Sequence, residues 1–364
     1  MELPTPVRVL VVDDSAVVRK VLGDVLNSNS GTTLAGTASS GEAALSKIDD
    51  LKPDVVTLDI EMPGMNGLEA LAEIRKRHPR LPVIMFSTLT ESGGTATLEA
   101  LALGANDYAT KPTSSHNLAS AKGHIERDLI GKIVSLRRIN VARPKTHPTI
   151  ALPVTKKIQR RIDVVAIGTS TGGPNALPVL VSQLPAELPV PIVLVQHMPK
   201  LFTRLLAERL TAHSKVLVRE AESGLPLQPG KVWIAPGDFH MTVARRDGKI
   251  VIELNQDAAE HSCRPAVDVL FRSVARTFGP HALAVVLTGM GSDGALGAKA
   301  IRDAGGEVMV QDEASSVVWG MPGAVVAAGQ ADDICALSRV GSEIVRRVTS
   351  RRWMTRAASP STKS

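Results

Sequence analysis

Apolar runs of four to eight residues alternate along the chain with segments whose apolar positions recur at helical spacing, the pattern of a parallel sheet with crossover helices. The first unit is VRVLVV over 7–12, suited to a buried strand, followed by Asp13 and Asp14 and then by Ser15, placed to cap a helix over 16–27. Further strands are expected over 33–38, 54–58, 82–86 and 106–109, separated by helices near 41–50, 67–77, 91–103 and 114–135. The stretch 137–161 breaks this rhythm with three prolines, eight Lys or Arg and no acidic residue, and reads as a linker. From Asp163 the alternation resumes, with strands expected over 163–167, 191–196, 231–235, 282–288 and 307–310. The fold class is therefore α/β, with two doubly wound parallel-sheet domains, 1–136 and 162–345. The last residues, 346–364, show no apolar period and are expected to be a disordered basic tail.

Two domains also suit a chain of 364 residues, at roughly 150 residues per domain. No run approaches the roughly 18 apolar residues of a membrane span. The N-terminal MELPTPVRVLVVDD has none of the features of an export leader, so a cytoplasmic location without an integral membrane segment is expected. Cys263 and Cys335 are read as free thiols, since two cysteines this far apart encode neither a disulfide framework nor a zinc cluster. Aromatic residues make up only 2%, too few for base-stacking modules.

The net charge of +6 raises the question of nucleic acid, and its distribution answers it. Residues 1–136 hold 13 basic and 17 acidic residues, and 162–345 hold 15 and 19, so both domains are acidic. The excess sits in the linker and in the tail, which carries six basic residues. No nucleic-acid partner is expected, and the linker is a tether or a basic contact for acidic surfaces.

In an open parallel sheet, ligands bind beyond the carboxyl ends of the strands. Asp13, Asp14 and Asp59 fall there, with Ser87 after strand 4 and Lys111 after strand 5. Three converging carboxylates suit a hard divalent cation such as Mg²⁺. Together with Lys111 they suit a phosphoryl transfer in which Asp59 is the nucleophile. This set, ordered VVDDS, LDIEMPGMNG, MFST and GANDYATKP, resembles response-regulator receiver domains over residues 7–130. The resemblance implies that Asp59 is the phosphoacceptor, that Asp13, Asp14 and Asp59 form the metal site, and that Ser87, Tyr108 and Lys111 are the switch residues. Asn66-Gly67 stands where the family often has Asp-Gly.

In the second domain, DVVAIGTSTGGP sets a strand against a Gly-rich turn, and Gly168 to Gly172 match G-x-S-x-G. The motif alone suits either a nucleophile elbow or a phosphate cradle. Placement favours the nucleophile: Ser170, His197 and Asp293 all follow strands and can meet at one sheet edge as nucleophile, base and orienting acid. His213, His261 and His281 lack that placement and are read as structural. The order Ser, His, Asp differs from the Ser, acid, His order of an α/β-hydrolase, and the turn carries no Walker lysine.

These residues, with HSCRPAVDVLFRS and WIAPGD, resemble the CheB family of chemotaxis protein-glutamate methylesterases over 163–345. The resemblance implies a (βα)5 receiver followed by a Rossmann-like methylesterase domain. It also implies a phosphorylation-regulated serine hydrolase that demethylates glutamate γ-methyl esters, and deamidates particular glutamines, on methyl-accepting chemoreceptors. Ser170, His197 and Asp293 take the triad positions, and backbone N–H groups of Thr171 and Met290 are expected at the oxyanion. The expected phosphodonor is a chemotaxis sensor histidine kinase. The esterase step needs no cofactor, the chain is expected to be a monomer, and the receiver is expected to cover the catalytic crevice until phosphorylated. Ala266 stands where the family often has Ser. Two rivals are a DNA-binding response regulator, which would need a helix-turn-helix after the receiver, and an interaction module with a dead site.

Overall fold

In the computed structural model, residues 5–111, 122–123, 125–140 and 160–357 are described, without the side chains of 127, 138–140 and 351–357. The chain divides into two units, 1–146 and 147–364.

In the first unit, strands β1 (Val7–Val12), β2 (Thr32–Ala38), β3 (Val55–Asp59), β4 (Val83–Ser87) and β5 (Asp107–Thr110) form a parallel sheet in the order β2-β1-β3-β4-β5. β1, β3 and β4 are almost wholly buried, as near-continuous Val, Ile and Leu runs require of strands covered on both faces. Helices α1 (Ala16–Ser28), α2 (Gly41–Leu51), α3 (Gly67–Arg77) and α4 (Glu91–Ala102) connect them. Each is stopped at its N-terminus by a side chain that accepts orphan N–H groups. Ser15 caps α1. Asn66 and Glu69 form a capping box on α3, so the asparagine of the Asn-Gly pair has a defined structural task.

The helix expected over 114–135 is described only from 122 on: a π-helical turn, Glu126–Ile130, runs into α5 (Gly131–Asn140). Residues 114–121 and 124 of that expectation, and 141–159 of the expected linker, lie outside the described residues. The first four linker positions, 137–140, belong to α5.

The second unit is built on seven parallel strands: β6 (Val164–Thr169), β7 (Ile192–Gln196), β8 (Leu217–Glu220), β9 (Lys231–Ile234), β12 (Ala282–Val286), β13 (Glu307–Gln311) and β14 (Asp333–Cys335). Their order is β14-β13-β12-β6-β7-β9-β8. A separate antiparallel hairpin, β10 (His240–Arg246) and β11 (Lys249–Asn255), packs into the same core through Met241, Val243 and Ile252. The core is completed by Val267, Leu270, Phe271 and Val274 of the helix Val267–Phe278, α8 below. The helices are α6 (Gly173–Val181), α7 (Lys200–Ala212), α8 (Val267–Phe278), α9 (Ala295–Asp303), α10 (Gly320–Ala327) and α11 (Leu337–Ala357).

Four features differ from the sequence expectation. β8 and β14 are short edge strands of four and three residues: LVRE has only two apolar residues, adjacent and followed by charges, and DIC is shorter than the four residues over which alternation registers. The hairpin was missed although Asp247-Gly248 at its turn is a hairpin signal. α11 runs to Ala357, so 346–357 of the expected disordered tail are helical. Arg347 secures that helix. Its guanidinium, 8% exposed, pairs with Glu343 (2.8 Å), Glu307 (3.2 Å) and Asp333 (2.5 Å), tying α11 to β13 and β14.

Candidate active site and phosphoacceptor site

Strand register places the carboxylates of the first unit. Val12 of β1 pairs with Leu58 of β3, so Asp13 and Asp59 leave the sheet side by side where the strand order reverses. Ser87 of β4 pairs with Thr110 of β5, which puts Lys111 at the same edge. The Lys111 Nζ lies 2.7 Å from Asp59 Oδ2 and 3.0 Å from Asp13 Oδ2. Gly67 is dictated by this site, because a Cβ there would sit 2.1 Å from the Asp59 carbonyl oxygen. Burial, reinforced by the neighbouring Asp13 charge, raises the Asp59 pKa to about 6 against the pull of Lys111. Lys111 in turn has its pKa raised, because Asp59 and Asp13 outweigh its own burial. Asp13, Asp14 and Asp59 each present a carboxylate oxygen within 4.8 Å of the others, a hard-oxygen set that fits a divalent cation. Ser87 Oγ donates to the carbonyls of Gly93 (3.1 Å) and Thr88 (3.3 Å), and Tyr108 is buried.

The same logic builds the second site. Thr169 of β6 pairs with Gln196 of β7, so Ser170 and His197 emerge as neighbours, and the His197 N–H donates to the Thr169 carbonyl at 3.2 Å. Gly168 pairs with Val286 of β12, which brings the following loop, 287–294, alongside. Thr169 Oγ1 and Ser170 N both donate to the Thr288 carbonyl, at 2.9 and 3.1 Å. Gln196 binds the turn from the other side: its buried Nε2 donates to the carbonyls of Ser170 (3.1 Å) and His197 (3.2 Å). Gly173 must be glycine, since a Cβ would lie 1.9 Å from Gln196 Oε1.

His197 Nε2 lies 2.8 Å from Asp293 Oδ2. Asp293 is buried at the N-terminus of α8, where Oδ2 accepts from Val267 N (2.7 Å) and Oδ1 from Asp268 N (2.8 Å). Asp268 repays this at α9, its Oδ1 accepting from Gly294 N (3.0 Å) and Gly297 N (2.6 Å). The two acids thus cap each other's helices, and helix N-termini favour the ionised carboxylate. Burial would raise the Asp293 pKa, but His197 and the two backbone N–H groups outweigh it and hold it low. This arrangement also accounts for Ala266, the N-cap position of α8: its side chain makes no cap, and Asp293 supplies one.

With Nε2 committed to Asp293, the nitrogen left to serve Ser170 is Nδ1, the reverse of the usual assignment. Ser170 Oγ makes no hydrogen bond among the described residues, and Cys263 Sγ stands 3.6 Å from Nδ1. Burial disfavours the imidazolium, yet the Asp293 and Cys263 partners outweigh it and push the His197 pKa up to about 10. The backbone N–H groups of Thr171 and Met290 have no acceptor among the described residues. The Gly289–Met290 strip is adjacent to the nucleophile, since a Cβ at Gly289 would lie 3.0 Å from the Ser170 Cβ.

The family-model comparison matches CheB methylesterase over residues 165–344 and the response regulator receiver domain over 9–122. A protein-glutamate methylesterase/protein-glutamine glutaminase of Trichodesmium erythraeum is 46% identical over 347 residues, covering 94% of this chain and 99% of the relative. One of the same name from a Nocardioides species is 47% identical over 356 residues, covering 95% and 96%. The chain belongs to the CheB family. Among solved structures, the methylesterase catalytic domain of Thermotoga maritima CheB is similar at 40% identity and a TM-score of 0.50, covering 51% of this chain and 98% of that one. The chain thus joins a receiver domain to a methylesterase domain.

Two residues of this CheB-family chain lie nearer the triad than the sequence indicates. His261, read as structural, has its Nε2 2.8 Å from Asp268 Oδ2 and 3.9 Å from Asp293 Oδ1. The donors and acceptors of this cluster are spent on one another and on backbone N–H groups, so it is a hydrogen-bonded brace. Cys263, read as a free thiol, is in no disulfide and faces the triad imidazole. Both come from one loop, whose spacing in HSCRP says nothing of its direction. His213 and His281 stay structural, with ring nitrogens against the backbone carbonyls of Arg209 and Arg161. No helix among the described residues is long and apolar enough to cross a membrane.

Proposed function

We propose that this chain is a phosphorylation-regulated serine hydrolase that demethylates glutamate γ-methyl esters and deamidates particular glutamines on methyl-accepting chemoreceptors. The observation that carries the reading is the His197–Asp293 pair at the same sheet edge as Ser170. Ser170 attacks the side-chain carbonyl as its proton passes to His197 Nδ1, while Nε2–H stays on Asp293. Backbone N–H groups of Thr171 and Met290 receive the developing oxyanion, a role worth about 10² to 10³ per donor. The imidazolium then protonates the leaving group, methanol or ammonia departs, and water repeats the sequence on the acyl-enzyme. No cofactor enters this step.

In the receiver, Asp59 accepts a phosphoryl group from a chemotaxis sensor histidine kinase. Mg²⁺ held by Asp13, Asp14 and Asp59 would neutralise the phosphoryl oxygens. Lys111 pairs with the new charge, and Ser87 leaves the Gly93 carbonyl to bond it while Tyr108 re-packs. The receiver restrains the esterase until this shift. The expected setting is a cytoplasmic monomer without a nucleic-acid partner, with domains at 1–136 and 162–345 joined by the basic segment 137–161.

A serine-directed fluorophosphonate tests the nucleophile. It should label Ser170 in the full chain and fail to label Ser170→Ala, with labelling slowed in His197→Ala. Equal labelling of Ser170→Ala would refute the assignment.

A further inference from the structure

The loop 260–263 is closed on itself by backbone hydrogen bonds in both directions, Cys263 N to Glu260 O at 2.8 Å and Glu260 N to Cys263 O at 3.2 Å. His261 and Ser262 both take left-handed backbone, with φ of 52° and 60°, a costly conformation for side-chain-bearing residues and one maintained only where surroundings over-determine it. The result is that one short loop addresses both halves of the triad pair: His261 reaches the far side of Asp293, and Cys263 reaches His197. The Cys263 sulfur sits at Nδ1, the only ring nitrogen from which Ser170 can be deprotonated once Nε2 is on Asp293. The serine hydroxyl, by contrast, has no hydrogen-bond partner among the described residues.

We infer that Cys263 is a positioning residue of the esterase, whose thiol competes with Ser170 for Nδ1 of His197 and latches the general base in the resting enzyme. The inference rests on the triad reading above and deepens it. In the resting enzyme the charged ring donates Nε2–H to Asp293 and Nδ1–H to the Cys263 sulfur, so the base is freed only when the Nδ1 proton leaves. Catalysis begins when Ser170 displaces the sulfur. The ionisable groups around the ring are Asp293 from the loop after β12, Cys263 from the 260–263 loop, and, behind Asp293, His261 and Asp268 of α8. Cys263 is among the causes that raise the His197 pKa, so removing the sulfur leaves Asp293 as the main one.

The test is the pH dependence of kcat/KM for methanol release by the full chain, in wild type, Cys263→Ala, Cys263→Ser and Ser170→Ala. Cys263→Ala should move the acid limb down by about one pH unit. That raises kcat/KM about tenfold at a fixed pH on that limb, because only the unprotonated base acts. The gain should appear in kcat with KM little changed. Cys263→Ser, which keeps a competing hydroxyl, should fall between. An unmoved acid limb in both variants, with Ser170→Ala inactive, overturns the latch and leaves the triad standing. Activity retained in Ser170→Ala overturns the triad reading instead.

A second measurement does not depend on the alanine variant folding. Alkylation of wild type by iodoacetamide, located by peptide mass, should inactivate it as Cys263 is modified. Cys263→Ser, which still contains Cys335, should stay active under the same treatment. Full modification of Cys263 without loss of turnover overturns the proposal.

Discussion

Asp293→Asn separates charge from shape at the centre of the esterase site. The carboxylate oxygens accept three close hydrogen bonds: Oδ2 from His197 Nε2 (2.8 Å) and Val267 N (2.7 Å), and Oδ1 from Asp268 N (2.8 Å). An amide keeps one oxygen and turns the other into a donor. With NH₂ at the Oδ1 position, it opposes the Asp268 N–H; at the Oδ2 position, it opposes the Val267 N–H and forces His197 into the tautomer whose Nδ1 carries the proton. Either way at least one buried donor is left unpaired, at a cost of about 1–3 kcal/mol. Loss of the anion at the α8 N-terminus adds up to about 2 kcal/mol in a partly buried setting. A combined loss of about 2–4 kcal/mol lowers the melting temperature of a domain this size by roughly 5–15 °C.

The sign of the pH dependence follows from the two partners. Asp293 has a lowered pKa, so its contribution is full above its unfolded value of 3.8 and is lost as pH falls below that. His197 has a raised pKa, so its contribution is full below 6.5 and is lost as pH rises toward about 10. The stability gap between wild type and Asp293→Asn should therefore be widest between about pH 4 and 6.5. Turnover should fall about 10⁴-fold, the cost of a triad base in the wrong tautomer. The assays are denaturant unfolding across that pH range and methanol release from methylated receptor. A kcat within tenfold of wild type, or a stability gap independent of pH, would refute the reasoning.

Three further perturbations probe other parts of the molecule. Gly173→Ala drives a Cβ into Gln196 Oε1 and should displace the Ser170 turn, costing at least tenfold in kcat while circular dichroism stays native. Asp59→Asn should abolish stimulation by a small-molecule phosphodonor and leave unstimulated turnover within about twofold; retained stimulation would place the phosphoacceptor elsewhere. Arg347→Met leaves Glu307, Asp333 and Glu343 around a buried gap and should cost about 3–5 kcal/mol in unfolding free energy. Glu343 is held down to about 2 by Arg346 and Arg347, so its contribution is full above pH 4.5 and lost as pH falls toward 2. Arg347→Met should shrink that acid-labile part.

Both sites were legible because a parallel sheet delivers the ends of its strands to one edge. Asp13, Asp59 and Lys111, and again Ser170 and His197, needed only a strand ending in the right place. Asp293 was legible for a weaker reason, since its loop alone does not show that it caps α8. What could not be read was set by contacts between distant segments. Asp268 and Asp293 exchange helix caps across 25 positions, and the 260–263 loop turns back on itself through two left-handed residues. His261 was weighed by its lack of a strand-end position and Cys263 by its distance from Cys335, and neither measure sees that turn. α11 was misjudged for a similar reason: Ile344 and Val348, four apart and buried, give it an apolar face, but the surrounding arginines hid the period.

Release of methanol from a methylated chemoreceptor by the full chain tests the central claim most directly, measured for wild type and Ser170→Ala with and without a phosphodonor. Wild type should release methanol, faster with the phosphodonor, and Ser170→Ala should fall by at least about 10³-fold under both conditions. Release by Ser170→Ala at the wild-type rate would contradict the account.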